Sequence, residues 1–434
     1  MKLRWGGALL TALCVAGCGE STRHVGTDAG AVPDGGAGAG GSVAESRGRD
    51  GELLVLDEFA RPFVDVPVLV DGAVVYTGDD GFAVLPDVGA SYDVSFADQQ
   101  RVWVFRGLSS RAPVLSLPSV GNSGALFETD VEVQKPTNLG DDTAVRFMAG
   151  IEELTGTTPF LSFSNNDSDV DFQITWPDVE PATLSAAAFL VQIDPLTGET
   201  LAYLGSATAE WPEVPAKLLW SPAFDSPLEG ASVHVDLTVP PGSSPGVYEV
   251  WATDAAGRNG SISFALDNPA TDGPGSGSGD VLVPNLPDLT FSATAQTLAS
   301  NGRFIASSPS GLHAGDTVRL VAQPPPVLVT PEDGASVDAG TDFSWTPGGG
   351  NVHYFSAATV DDGAELDFTI ASTEPSARLP DLSALGIPFP WGRGLDWLAG
   401  DVVGADSIDA YAAGAPYFGL GFSFTRNVTV GAAP

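Results

Sequence analysis

The sequence has few cysteines, histidines and positive charges, and each shortage excludes a class of chemistry. Of its 434 residues, two are cysteine, four are histidine and 18 are lysine or arginine. The 55 acidic residues give a net charge of −37 at pH 7. A surface this negative repels phosphate backbones, so we expect no nucleic-acid partner. No two histidines share a short metal-ligand spacing, and no nucleophile elbow or phosphate-binding glycine loop is present.

The first eighteen residues have the pattern of an exported protein. Lys2 and Arg4 precede an apolar run over residues 5–16. A membrane-spanning helix takes about 20 apolar residues, so this run is too short to be one. A positive start, a short apolar core and small residues at its end are typical of a cleaved signal peptide.

The end of this segment, Val15-Ala16-Gly17-Cys18, resembles the lipobox of bacterial lipoproteins. The resemblance implies that residues 1–17 are removed as a signal peptide and that the Cys18 thiol carries diacylglycerol. Several acyl chains anchor a protein durably, because each buried CH₂ contributes roughly 0.8 kcal/mol. The alternative is an ordinary signal peptide with an incidental cysteine. Since Cys14 would be removed, the mature chain would have no disulfide and no catalytic thiol.

Residues 18–50 are predicted to form a disordered tether behind the lipidated cysteine. The stretch 35–41 contains only glycine and alanine and cannot bury enough apolar surface to become ordered. Gly19 follows the cysteine, where an aspartate would favour the inner membrane in the lipoproteins that the chain resembles. We therefore expect a lipid-anchored envelope protein, in the outer membrane rather than the inner one. Its expected partner is membrane lipid, through acylated Cys18.

The rest of the chain predicts an all-β fold of serial antiparallel β-sandwich domains. Short β-branched and aromatic runs alternate with turns rich in Gly, Pro and Asp, and no long segment has a helical period. High glycine and proline contents, 52 and 34 residues, also disfavour helices. The composition shifts predict domains at 51–120, 121–268 and 281–434, with a Gly/Ser-rich linker at 269–280.

Each block resembles a known β-sandwich family. The turns at Asp71-Gly72 and Asp80-Gly81, with Phe82 and Tyr92, resemble the carboxypeptidase-regulatory-like family, which implies a non-catalytic module. In the second block, the alternating strand over 233–239 and the runs 247–251 and 261–266 resemble the last strands of bacterial immunoglobulin-like modules. In the third, the stretch from three prolines to Trp345 resembles the opening of fibronectin type III modules, in which the tryptophan packs between the sheets.

One acidic cluster suggests a cation site. Oxygen-bearing side chains alternate at Asn165, Asp167, Asp169 and Asp171, which could gather the hard-oxygen ligands that calcium prefers. The cluster lacks the glycine and the distal glutamate of an EF-hand loop. The alternative is a polar turn before the strand that starts at Phe172. No other cofactor is expected.

Three functions agree with these patterns. The first is an envelope lipoprotein whose non-catalytic modules bind or space other molecules, with an envelope protein or a glycan as the open choice of partner. The second is a structural or adhesive envelope component. The third is a hydrolase with a spatially assembled carboxylate pair, which the shortage of histidine and the missing nucleophile motifs disfavour. The aromatic residues Phe389, Trp391 and Trp397 would stack on a sugar if exposed, but they are more often sheet-packing residues.

Overall fold

The computed structural model has the predicted all-β architecture, with sheets packed face to face. It describes residues 48–57, 61–98, 101–116, 126–134, 140, 142–151, 160–165, 169–177, 183–196, 199–214, 217–254, 259–265, 276–308, 311–360, 366–414 and 419–432. Within these ranges, helical structure is confined to α1 (Ile408–Ala412) and a 3₁₀ turn at Ser383–Leu385. The described part of the chain contains no helix with the length and apolar character needed to cross a membrane.

The strands fall into four modules, numbered along the chain. Module 1 (residues 52–116) contains β1 Glu52–Leu56, β2 Pro67–Val70, β3 Ala73–Tyr76, β4 Phe82–Val84, β5 Tyr92–Asp98, β6 Arg101–Leu108 and β7 Val114–Ser116. Module 2 (126–220) contains β8 Leu126–Gln134, β9 Thr143–Ile151, β10 Phe160–Asn165, β11 Asp169–Pro177, β12 Leu184–Ile193, β13 Thr200–Trp211 and β14 Lys217–Trp220. Module 3 (230–321) contains β15 Gly230–Thr238, β16 Ser243–Asp254, β17 Asn259–Ala265, β18 Ser276–Pro284, β19 Leu289–Ala299, β20 Gly302–Ser307 and β21 Thr317–Val321. Module 4 (327–430) contains β22 Val327–Thr330, β23 Ala335–Val337, β24 Phe343–Thr346, β25 Val352–Thr359, β26 Asp367–Ser372, β27 Ser376–Ala377, β28 Gly394–Val403, β29 Gly419–Ser423 and β30 Arg426–Val430.

A parallel pair between an early and a late strand delimits each module. β1 pairs with β7, β8 with β14, β15 with β21 and β23 with β30, all in parallel. Each module also has one small sheet of its own. These sheets have the orders β4-β1-β7, β10-β11-β8-β14, β18-β15-β21 and β22-β24-β27.

The remaining seventeen strands form one continuous hydrogen-bonded network through all four modules. From module 1 it runs β3-β2-β5-β6 and then passes to β26, β25 and β28 of module 4. The carboxyl end of β28 pairs with β29, and β29 pairs with β20 of module 3. From there the network continues β20-β19-β16-β17 and reaches β9, β12 and β13 of module 2. The spatial order of the modules is therefore 1, 4, 3, 2.

The apolar cores explain this arrangement, because sheets of the network are covered on both faces. On β12, Phe189 and Val191 pack with Val233 and Val235 of module 3, whereas Leu190 belongs to a second core inside module 2. The first eight residues of β12 are buried without interruption. A strand covered on both faces reads as a continuous apolar run, and β12 is apolar without interruption from Ala186 to Val191.

The strand pairing divides the chain differently from the sequence-based boundaries. The predicted block 121–268 contains module 2 and the first part of module 3, and the block 281–434 contains the rest of module 3 and module 4. Residues 276–280, predicted as the end of the linker, lie in β18 and pair with β15. Backbone hydrogen bonds can hold a Gly/Ser-rich segment in a sheet, so its composition misled the boundary prediction. Strand pairs also cross from one module to the next.

Individual strands follow the sequence patterns closely. Val233, Val235, Leu237 and Val239 are buried, as the alternation over β15 predicts. Trp345 on β24 is buried between sheets, in agreement with the fibronectin-like opening. Residues 1–47 lie outside the described residues, and they include the predicted signal peptide, Cys18 and nearly all of the predicted tether.

Candidate functional site

The two sites predicted from the sequence lie outside or at the margin of the described structure. Cys18 and Asp167 are outside the described residues. Asp169 and Asp171 lie on β11, and only their backbone is described. Among the described residues, no three His, Cys, Asp or Glu side chains cluster as a metal site. Lipidation of Cys18 and calcium binding at Asp167, Asp169 and Asp171 therefore stay predictions.

Two of the four histidines are surface residues next to carboxylates. His234 Nδ1 lies 2.7 Å from Asp280 Oδ1, and its Nε2 lies 3.4 Å from Asp236 Oδ1. The hydrogen bond with Asp280 and the charges of both aspartates raise the pKa of His234. His313 lies in a loop, and its Nδ1 is 3.9 Å from Asp316 Oδ2. Both histidines are therefore solvent-accessible side chains beside carboxylates, as the outward position of His234 on an alternating strand predicts.

The aromatic residues considered for sugar stacking pack in or against the module 4 core. Trp397 is 0% exposed and contacts Phe343 and Phe355 edge-on or tilted. Phe389 and Trp391 are half-buried, with ring centroids 4.5 Å apart, and they pack against the same core. Sheet packing, the alternative considered from the sequence, is the role that Trp397 has.

The most developed polar cluster of the described chain centres on His353 and Asp401. Antiparallel pairing of β25 with β28 places the two residues opposite each other. His353 Nδ1 lies 2.6 Å from Asp401 Oδ1, and the amides of Gly348 and Gly349 donate to Asp401 Oδ2 at 2.5 and 3.3 Å. Asp401 is 1% exposed and His353 is 6% exposed. The buried carboxylate is thus held by three donors from two segments of module 4.

The glycines before β25 are required by this geometry. A Cβ on Gly348 would lie 1.7 Å from the carbonyl oxygen of Pro324, and one on Gly350 would lie 2.2 Å from that of Val402. Gly350 also has a φ of +90°, which side chains disfavour. The run Pro347-Gly348-Gly349-Gly350 therefore lets the backbone approach both Asp401 and the end of module 3.

Ser372 completes a row of three polar residues across the sheet. β25 also pairs with β26, so His353 stands opposite Ser372 on one side and Asp401 on the other. Ser, His and Asp are the residue types of an acyl-transfer triad, and a triad is recognised by geometry. Here Ser372 Oγ donates to the Glu374 carbonyl at 2.7 Å and accepts from the Glu374 amide at 3.1 Å. Ser372 is 5% exposed, so the row lies inside the sandwich, and its bonds connect strands and a loop.

A shallow cleft of about 210 Å³ marks the seam between modules 1 and 4. Arg106 lies in it, with Nη2 donating to the Arg378 carbonyl at 2.9 Å and Nε 3.9 Å from Asp93 Oδ2. Burial lowers the pKa of Arg106. Asp71 accepts from the Asp93 amide and Asp93 from the Gly107 amide, so the two cleft carboxylates already hold backbone donors. Most of these bonds therefore join residues of module 1, and the Arg106–Arg378 bond crosses to module 4.

Sequence reasoning missed both of these features. His353 and Asp401 are separated by 48 residues, and only the register of β25 with β28 brings them together. The seam depends on strands more than 260 residues apart. The available signal was the Gly-Gly-Gly run at 348–350, since three consecutive glycines next to a strand indicate a close backbone approach.

Comparison with known proteins gives distant structural similarity only. No protein-family model and no curated protein matches the chain. The FN1–FN3 domains of chicken CNTN1 are 13% identical, with 67% of this chain and 95% of that chain covered, at a TM-score of 0.17. A tetra-tandem repeat from the extending region of a large adhesion protein is 13% identical, with 88% and 99% covered, at a TM-score of 0.14. TM-scores of this size do not establish a common arrangement.

Proposed function

We propose that the chain is a membrane-anchored envelope lipoprotein whose β-sandwich modules bind or space other molecules without catalysis. The lipobox-like end of the signal segment and the glycine-rich stretch behind it support the anchor. The strongly acidic composition disfavours direct contact between the protein surface and anionic lipid, so the acyl chains on Cys18 do the anchoring.

The observation that carries the proposal is the strand pairing that crosses from module 1 to module 4 and from module 4 to module 3, with one further residue pair, Asn259–Ala149, from module 3 to module 2. Inter-module ladders restrict the motion of one sandwich against the next, because moving them apart breaks backbone hydrogen bonds. A body of this kind holds its surfaces at fixed relative positions, which suits a spacer or a binding platform. A purely structural or adhesive envelope component is the alternative function, since the same ladders also resist extension.

The anchor is tested by mass spectrometry of the mature N-terminus, purified from membranes. We expect a chain that begins at Cys18 and carries diacylglycerol, and a Cys18→Ser variant that is released from the membrane. An unmodified chain that begins at Met1 and is recovered from the cytosol would contradict the proposal. Saturable, specific partners in an envelope pull-down would favour a binder over the structural alternative.

The carboxylate-dependent hydrolase is the other alternative, and activity screening addresses it. Purified mature protein is assayed on glycans and peptides. The proposal expects no turnover above a heat-denatured control. Turnover that follows enzyme concentration and survives further purification would replace the binding function with a catalytic one.

A further inference from the structure

Module 1 precedes module 2 in the sequence, yet its described contacts with other modules are with module 4. β6 and β26 pair in parallel over Arg101–Phe105 and Asp367–Ala371. Among the described strands, β6 otherwise pairs with β5 alone, and β26 with β25 alone. If the modules were independent, both strands would present open edges, which proteins generally avoid. The ladder between the two modules covers both edges at once.

A shared apolar core lies beside this ladder. Ile408 and Ala412, on the inner side of α1, are 3% and 0% exposed. They belong to the same core as Leu108 and Leu115 of module 1, which are both 0% exposed. Burial of apolar surface between segments so distant in sequence stabilises their association rather than either module alone.

One carboxylate fastens α1 to module 1. Asp409, in the first turn of α1, accepts from the Ser110 amide at 3.0 Å and from the Ser109 amide at 3.1 Å. Its Oδ2 also accepts from the Ser109 hydroxyl at 2.7 Å. Charge-assisted hydrogen bonds are roughly twice as strong as neutral ones. Three donors of module 1 thus converge on one side chain that lies 300 residues away in sequence.

We propose that the Asp409 contact is a lock that closes the chain by binding its first module to its last. In the closed chain, modules 1 and 4 together form a base. Modules 2 and 3 form a unit that is inserted between these two in the sequence. Where the proposed function holds, the tether joins module 1 and so attaches this base to the membrane. The inserted unit of modules 2 and 3 is then the part that the base presents to other molecules. Release of Asp409 would loosen the ladder and open the edges of β6 and β26.

The lock is tested by residue-resolved hydrogen exchange on the full mature chain carrying Cys18→Ser, so that lipidation plays no part. In the closed chain, the amides of β6 and β26 that face each other exchange as slowly as those of interior strands. Exchange of these amides at the rate of an open strand edge would overturn the closure, whatever the outcome of the lipid analysis.

Asp409→Ala tests the role of the carboxylate, with Asp406→Ala as the matched control. Asp406 is exposed, lies three residues away and carries the same charge. We expect Asp409→Ala to speed exchange at residues 108–111 and along the β6–β26 ladder by about tenfold or more, since bonds to a charged group are lost. The control and β12 of module 2 should change less than about twofold. Asp409→Asn, which keeps one acceptor oxygen, should fall between them. Equal exchange in Asp409→Ala and Asp406→Ala would overturn the lock.

Discussion

Replacement of Asp401 by alanine gives the sharpest prediction about module 4. The carboxylate is 1% exposed and accepts from His353 and from the amides of Gly348 and Gly349. Alanine removes all three acceptor contacts, which leaves His353 inside the sandwich and the two half-buried glycine amides without the carboxylate. Water has little access to His353, which is only 6% exposed.

The magnitude follows from the donors that lose their partner. A buried donor left unsatisfied costs about 1–3 kcal/mol. His353 can relieve part of the loss by placing its proton on Nε2, and water can reach the half-buried glycine amides. We therefore expect Asp401→Ala to lower the free energy of unfolding by about 2–4 kcal/mol.

Asp401→Asn separates hydrogen bonding from charge. The asparagine oxygen can accept from Gly348 and Gly349, and its NH₂ can donate to His353 Nδ1 if the imidazole carries its proton on Nε2. The two glycine amides and His353 Nδ1 then keep a partner, so the loss should fall to about 1–2 kcal/mol.

The assay is urea unfolding of the full mature chain, followed by tryptophan fluorescence, since Trp345 and Trp397 lie in module 4. Asp406→Ala is the control, because it removes an exposed carboxylate from the segment after β28. If Asp401→Ala were no more destabilised than Asp406→Ala, the polar cluster would not hold the strands and loop together. An equal loss in the Asn and Ala variants would contradict the hydrogen-bond explanation.

Three further predictions concern packing, calcium and pH. Gly400→Ala should destabilise the chain by about 1–3 kcal/mol in thermal unfolding, because its Cβ would lie 1.9 Å from Tyr354 Cε1. If the acidic cluster binds calcium, millimolar calcium raises the melting temperature and Asp167→Ala/Asp169→Ala abolishes the rise. Burial, and then the nearby negative charges, raise the pKa of Tyr92 to about 12. Its contribution to stability is therefore complete below about pH 10 and is lost as the pH rises through 12, which circular dichroism during an alkaline titration would follow.

Each of these predictions has a control or an outcome that contradicts it. Gly340→Ala is the packing control, since its Cβ would meet no atom closer than 3.5 Å. An unchanged melting temperature in calcium would remove the cation site. Tyr92→Phe should weaken the alkaline transition, and an identical transition in that variant would assign it to other groups.

Local patterns in the sequence account for the strands, and they do so for identifiable reasons. Val233, Val235, Leu237 and Val239 alternate with polar residues because β15 has one buried face. β12 reads as a continuous apolar run because both of its faces are covered. These patterns are local to each strand, so they can be read from a single sequence.

Long-range pairing was not predictable in the same way. The β6–β26 ladder and the contacts of Asp409 depend on which strand edges meet. The local sequence of neither segment specifies its partner. The Gly/Ser-rich start of β18 pairs through its backbone, so its side chains carry no strand signal. The His353–Asp401 pair depends on register, and a slip of one residue would place the two side chains on opposite faces.

A designed disulfide tests the union of modules 1 and 4 most directly. Arg101 and Asp367 are partners at the start of the β6–β26 ladder. Neighbouring strands lie about 4.8 Å apart, within disulfide reach. In a chain carrying Cys18→Ser, Arg101→Cys/Asp367→Cys should oxidise to an intramolecular disulfide, seen as a gel shift and a mass loss of two hydrogens. The pair Arg101→Cys/Thr373→Cys should not form a disulfide, because residue 373 follows the end of β26 and lies about 20 Å from residue 367 along the strand direction. Failure of the first pair, or equal cross-linking of both pairs, would contradict the closed arrangement.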